Sequence, residues 1–400
     1  MTRETPSRLE PCRLERYGSV IADLLVDLKR AATTLGEKLH PTTAASLAGL
    51  VRLMNCYYSN LIEGHHTRPR DIQRALEGDL DEDEARRDLQ AEAAAHVRLQ
   101  AAIDARHAAG ELGEPTSVDF IRWLHAELYR DVPERLLRVE GHGRSFVMKP
   151  GEMRSEPVHD VEVGRHVPPS SRVVAEFMRY FEAHFQLRNV GSAGRLLAIP
   201  IAHHRLVYIH PFPDGNGRVA RLMSHAMALT AEIGAHGLWA VSRGLARGLE
   251  DRSEYKNMLA QADQERWNDL DGRGNLSHRA LEAFVEWFLR VELDQVRFMS
   301  ELFDLDHLSA RLWDYVARTP ALRPQATPLL AEILVRGKLP RGEAARASGL
   351  KERTARDLLS QLLSLGVLTS ASPKAPVVLR FAPDSAEILF PRLFPPAASA

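Results

Sequence analysis

Cysteine is nearly absent from this chain: Cys12 and Cys56 are the only two in 400 residues. Two thiols cannot build a disulfide framework or a zinc site of thiolates, and their scarcity fits a reducing compartment. Neither sign of charge is in excess, because 52 Lys and Arg face 53 Asp and Glu. A formal net charge of -1 gives no whole-molecule attraction to nucleic acid or to an anionic membrane, so any basic patch has to be local. Long apolar runs are missing as well. No segment reaches the uninterrupted length of a membrane span, and the opening text MTRETPSRLEPCRLERYGS has no apolar core of signal-peptide length. A cytoplasmic protein without a membrane partner is therefore expected. The rest of the composition is ordinary. Hydrophobic residues at 44% and charged residues at 26% exclude a disordered or collagen-like chain and leave room for two or three domains.

The chain reads as mainly helical. The first residues, up to about Arg16, are polar, proline-punctuated and expected to be extended. Leu24, Leu25 and Leu28, then Leu47, Leu50, Leu53 and Met54, recur at helical spacing, with Pro41 placed as a first-turn residue of the second helix. Ala, Glu, Arg and Leu dominate from Asp71 to Ala109, interrupted by the acidic run Asp79 to Glu84. Further helices are expected over Ser117 to Tyr129, Ser171 to Arg188, Gly194 to Ile209, Arg218 to Ile233 and Leu281 to Leu305. Only between Gly141 and Pro169 does the character change. There Ser145 to Met148 and Pro157 to Val163 read as strands flanking the turn dipeptide Pro150-Gly151, which predicts a hairpin.

The text that carries chemistry is His210-Pro211-Phe212-Pro213-Asp214-Gly215-Asn216-Gly217-Arg218-Val219-Ala220-Arg221, a loop between two helices. Two glycines around Asn216 let the backbone take positive φ and turn several N–H groups to one point. Such a nest at a helix start binds phosphate oxygens. Asp214 can hold a Mg²⁺ that bridges those oxygens. Arg218 and Arg221, three apart, share a helical face and suit phosphates as planar forks. His210 stands at the mouth of the loop, with an imidazole suited to taking a proton from an attacking hydroxyl. Singly, each feature is ordinary loop chemistry. Together within twelve residues they specify phosphoryl or nucleotidyl transfer. The Gly-Lys-Ser/Thr ending of a Walker loop and the kinase motifs are both missing. His203 and His204 are adjacent and diverge on a helix, so they are not read as metal ligands.

HPFPDGNGRVAR resembles the Fic signature, His-x-Phe-x-Asp/Glu-Gly-Asn-Gly-Arg-x-x-Arg, with every defined position filled. The resemblance runs from about Tyr57 to Leu293. It implies a mostly helical fold and transfer of AMP from ATP to protein hydroxyls with Mg²⁺. It also implies His210 as base, Asp214 as metal ligand, and Gly215, Asn216 and Gly217 as anion hole. Arg218 and Arg221 would contact the nucleotide phosphates, and Phe212 would fix the loop from the core. Tyr255, four residues before Leu259, is similar to an aromatic on the family's adenine side. Upstream, Ser59-Asn60-Leu61-Ile62-Glu63-Gly64 resembles the family's inhibitory motif. Ser59 and Glu63 share a helical face, and Glu63 is expected to pair bidentately with Arg221. The segment around Pro150 to Val163 takes the place of the family's flap. Met153, Arg154 and Val158 to Val161 are expected to form the edge that docks a target peptide.

Beyond Leu308, Arg341 to Ala347, a turn at Ser348-Gly349, Glu352 to Leu365, then Val367 to Thr369 and Val377 to Phe381 read as a winged helix-turn-helix. Lys351, Arg353 and Arg356 open its second helix, where they suit DNA, although such domains also bind proteins. The expected organisation is 1–110, an N-terminal region with an inhibitory helix near 57–64; 111–305, the catalytic core; and 308–400, the winged-helix domain. Two alternatives stay open: removal of AMP by the same site, with Glu63 orienting a water, and a DNA-binding regulator with a nucleotide-sensing core. The expected partners are a target hydroxyl, DNA and a second copy of the chain.

Overall fold

Leu24, Leu25 and Leu28 form the buried stripe of the first long helix, α1 (Ser19–Thr34). In the computed structural model, which describes residues 4–141, 144–164 and 166–394, this helix packs along α11 (His278–Leu302). The helix α2 (Pro41–Ile62) has Pro41 in its first turn, and the His40 ring accepts the Thr42 N–H. After α3 (Pro69–Leu76) and the acidic turn, α4 (Glu84–Ala108) starts from an Asp83 cap. It lies against α2, α5 (Val118–Leu128) and α8, the helix after the motif loop.

The strands β1 (Arg138–Gly141) and β2 (Arg144–Val147) form an antiparallel hairpin, with Val139 opposite Phe146. This corrects the expected hairpin. Only Ser145 to Val147 of the expected segments falls on a strand, and its partner lies upstream; residues 142–143 are outside the described residues. Pro157–His159 is a 3-10 turn, and Val163 makes one bridge to His166. Pro157 has no N–H to donate to a ladder, which disfavours a strand at that point.

The core continues through α6 (Val174–Phe185), α7 (Ser192–Ile209), α8 (Asn216–Thr230), α9 (Ser242–Arg247) and α10 (Glu254–Ala262). After α11 come α12 (Leu305–Arg318), α13 (Ala326–Arg336), α14 (Ala344–Ser348) and α15 (Glu352–Ser364). The two-residue strands β3 (Leu368–Thr369) and β4 (Val378–Leu379) pair antiparallel, and α16 (Pro383–Leu389) closes the described chain.

Both ends of the described residues pack onto the core. Leu9, Cys12 and Leu14 are buried, so the N-terminal segment is packed where an extended polar piece was expected. The C-terminal elements hold α2 at two places. Thr43 Oγ1 donates to the Leu334 carbonyl at 2.9 Å, and Tyr58 OH to the Leu393 carbonyl at 3.1 Å. One buried apolar cluster runs from Leu9 to Leu393 through all three expected regions.

Candidate active site

The motif loop is shaped by two left-handed residues. His210 ends α7 at φ 52°, and Gly215 starts α8 at φ 77°. Glycine meets no penalty there, and it also makes room: a Cβ on Gly215 would lie 2.7 Å from Tyr129 Oη. Asn216 clamps the turn with its side chain. Its Oδ1 accepts the Phe212 N–H at 2.9 Å and its Nδ2 donates to the Phe212 carbonyl at 2.8 Å. The Phe212 ring is buried and stacks on His125 at 3.9 Å.

Asp214 is on the open side, with its side chain 58% exposed. Tyr129 Oη donates to Asp214 Oδ2 at 2.7 Å and accepts from Arg218 at 2.6 Å, while Arg218 also reaches Oδ2 at 3.3 Å. An exposed carboxylate held at one oxygen, beside a helix start, is a donor set that fits a hard cation shared with phosphate. Burial lowers the His210 imidazole, with Arg154 and His166 adding to the effect, to about 4, so the ring is neutral near pH 7 and can accept a proton.

Arg218 and Arg221 are almost fully buried, and each meets a glutamate from another helix. Arg218 pairs with Glu92 of α4 at 3.2 Å. Arg221 donates from Nε to Ser59 Oγ at 2.9 Å, and from Nη2 to the Ser59 carbonyl at 3.1 Å and to Glu63 Oε1 at 2.6 Å. The expected bidentate fork is thus divided between Ser59 and Glu63, because α2 ends at Ile62 and leaves Glu63 at its cap. Gly64, at φ 86°, stops the helix; the His65 N–H reaches the Asn60 carbonyl and the Gly64 N–H that of Leu61. Partial burial raises the Glu63 carboxyl, but Arg221 outweighs it and holds the group below its ordinary range. A Cβ on Gly217 would come within 2.4 Å of Glu63 Oε1. The carboxylate therefore occupies the space that the bare glycine opens beside the nest.

The structure brings together His210, Asp214, Gly215, Asn216, Gly217, Arg218, Arg221, Ser59 and Glu63, and Tyr255 lies behind them, close to Arg221. Tyr255 is 4% exposed, and its hydroxyl bonds His203 Nε2 at 2.7 Å, so it is a core residue behind α8. His203 also bonds Ser224, tying α7 to α8 and α10. Arg154, expected on a docking edge, is buried against the loop instead. Tyr129, His125 and Glu92 are site residues that the sequence reading missed. Tyr129 and Glu92 lie on helical text with no motif of their own, and the only local signal was a polar residue on an apolar face.

Residues 115–228 match the Fic/DOC family. A protein adenylyltransferase Fic of Drosophila virilis is 36% identical over 102 residues, and that of Drosophila erecta 34% over the same length. Those matches cover 26% of this chain, which spans 20% of the length of these relatives. Among solved structures, a Fic family protein from Desulfovibrio desulfuricans G20 is similar over 92% of this chain and 98% of its own, with a TM-score of 0.54 and 18% identity. A Fic domain containing signaling protein from Bacteroides thetaiotaomicron VPI-5482 is similar over 70% of this chain and 96% of its own, at 0.51 and 20%. These two likenesses concern the fold.

Proposed function

We propose that this chain, a member of the Fic/DOC family through residues 115–228, is a protein adenylyltransferase held inactive by its own Glu63. A hydroxyl oxygen of a target protein attacks the α-phosphorus of ATP. The new P–O bond forms as the bond to the bridging oxygen breaks, and pyrophosphate leaves. The hydroxyl proton passes to the His210 ring. The backbone amides at the start of α8 and the side chains of Arg218 and Arg221 hold the phosphates in line. Asp214 would hold Mg²⁺, which supplies charge neutralisation on the phosphates when bound.

The observation that carries the inhibited state is the seat of Glu63, against Gly217 and on Arg221. A carboxylate there competes with a phosphate for the same arginine and the same space. The test is incubation of the pure protein with labelled ATP, UTP, GTP and CDP-choline, with Glu63→Gly and His210→Ala alongside. Label from the α-phosphate of ATP is expected on protein with Glu63→Gly. His210→Ala in that background is expected to abolish transfer and to leave ATP affinity nearly intact. Transfer that survives the loss of His210 would refute the reading.

A further inference from the structure

Three successive carbonyls at the end of α7 are taken by one side chain and its own backbone. Arg154 Nε donates to the His210 carbonyl at 2.7 Å, its Nη2 to that of Ile209 at 3.1 Å, and its backbone N–H to that of Pro211 at 2.8 Å. Nη2 also reaches the Pro169 carbonyl at 2.8 Å. The side chain has no exposed surface, and Asp160, 3.4 Å away, is its carboxylate partner. The last carbonyls of a helix have no partner within it. The residue that ends this one, His210, adopts a left-handed conformation that costs an ordinary L-residue energy and persists only where its surroundings enforce it.

We propose that Arg154 is the positioning residue of the general base, its planar fork fixing the left-handed His210 backbone and so the direction of the imidazole. This rests on the adenylyl-transfer reading and deepens it. A guanidinium is suited to the task because its donors are rigidly coplanar, whereas an ammonium on a flexible stem cannot hold adjacent carbonyls at fixed angles. Its charge has a second effect. Burial disfavours the protonated imidazole, Arg154 adds to that, and His166 acts in the same direction. The Val207 carbonyl and Asp214 act against it. Arg154 thus helps to keep the ring in its proton-accepting form.

The test uses the full chain carrying Glu63→Gly, with Arg154→Lys and Arg154→Gln added singly. Both are expected to lower kcat for self-modification by on the order of a hundredfold, the scale of a misplaced reacting group, and to change the Kd for ATP by less than about threefold. The conservative lysine does not rescue. The acid limb of the rate profile stays in place with lysine and moves to higher pH with glutamine. Titration of the His210 ring by NMR, assigned with His210→Ala, reads the same shift without catalysis. It decides the matter even if the Glu63→Gly parent transfers nothing, an outcome that would refute the adenylyl-transfer reading alone. The proposal is overturned by an Arg154→Lys variant with the parent's kcat, by a His210 midpoint that glutamine leaves unmoved, or by loss of ATP affinity in step with kcat. The last would make Arg154 a general support of the fold.

Discussion

Two arginines one turn apart on α8 are each met by a glutamate from another helix, and the two pairs are built differently. Glu92 lies within the long helix α4, and its side chain is 10% exposed against an Arg218 that is 3% exposed. Separating them means parting α4 from α8. Glu63 lies past the last turn of α2 with its side chain 34% exposed, and the chain turns away at Gly64. Releasing it requires only that a helix end fray. Helix ends open at far lower free energy than packed interiors. On the proposed reading, the same kind of ion pair is architecture in one place and a latch in the other. The difference comes from where the glutamate lies along its helix, not from its chemistry.

Replacing Glu63 by glycine tests the latch most directly. AMP transfer, read as label on the protein from ATP, is expected to rise by far more than about tenfold once Arg221 is free to align phosphates. Glu63→Asp should release partly, because the shorter arm reaches Arg221 poorly. Arg221→Ala should not activate, since the phosphate contact goes with the lock. An unchanged rate in Glu63→Gly would make the end of α2 merely structural.

Glu92→Gln is the mirror experiment. It leaves Arg218 buried without that carboxylate, and losing one partner of a buried pair costs on the order of 3 kcal/mol. Denaturant unfolding should show that loss, with a gain in AMP transfer no larger than that of His65→Gln, since Glu92 also meets His65. If Glu92→Gln activates as Glu63→Gly does, the contrast between the two pairs collapses.

The C-terminal grip on α2 sharpens the comparison further. Tyr58→Phe removes the hydrogen bond to the Leu393 carbonyl, worth about 1 kcal/mol. A frayed end should then be reached more often. Transfer by the otherwise unaltered chain should rise a few-fold, by no more than the roughly fivefold that such an energy allows. With Glu63→Gly already in place the same change should do nothing, and an equal rise in both backgrounds would separate the grip from the latch.

The smallest effect is one of pH. His65 follows the latch, and its Nδ1 lies 3.3 Å from Glu92. That carboxylate raises the imidazole above its ordinary value, against the effect of burial. A raised histidine contributes stability that is complete below its unfolded value, about 6.5, and lost as pH rises through the folded one. The segment after Glu63 is therefore held more firmly in acid. Transfer by the unaltered chain, divided by that of His65→Gln, should increase as pH rises from about 6 to 8. A flat ratio would remove His65 from the latch.

The parts of the site that were legible in the sequence are those whose geometry is local. His210 to Arg221 form one continuous loop and helix start, and Ser59 to Glu63 one helical turn, so spacing alone indicates which groups share a face. The hairpin was misplaced because Ser145 to Met148 reads as a strand without revealing its partner. Val139 and Phe146 face each other through cross-strand pairing, which spacing does not encode.

The sequence by itself determined which residues compose the loop between α7 and α8, and that a serine and a glutamate four apart end a helix upstream. Only the tertiary structure decided that Tyr129 holds Asp214, that Glu92 takes Arg218, that Tyr255 turns into the core and that Arg154 lies buried against His210. Each of those contacts joins elements from 52 to 126 residues apart. Periodicity tells a side chain which face of its own helix it occupies. Which neighbour that face meets is set by the packing of the whole core, where burial makes an unpartnered polar group costly.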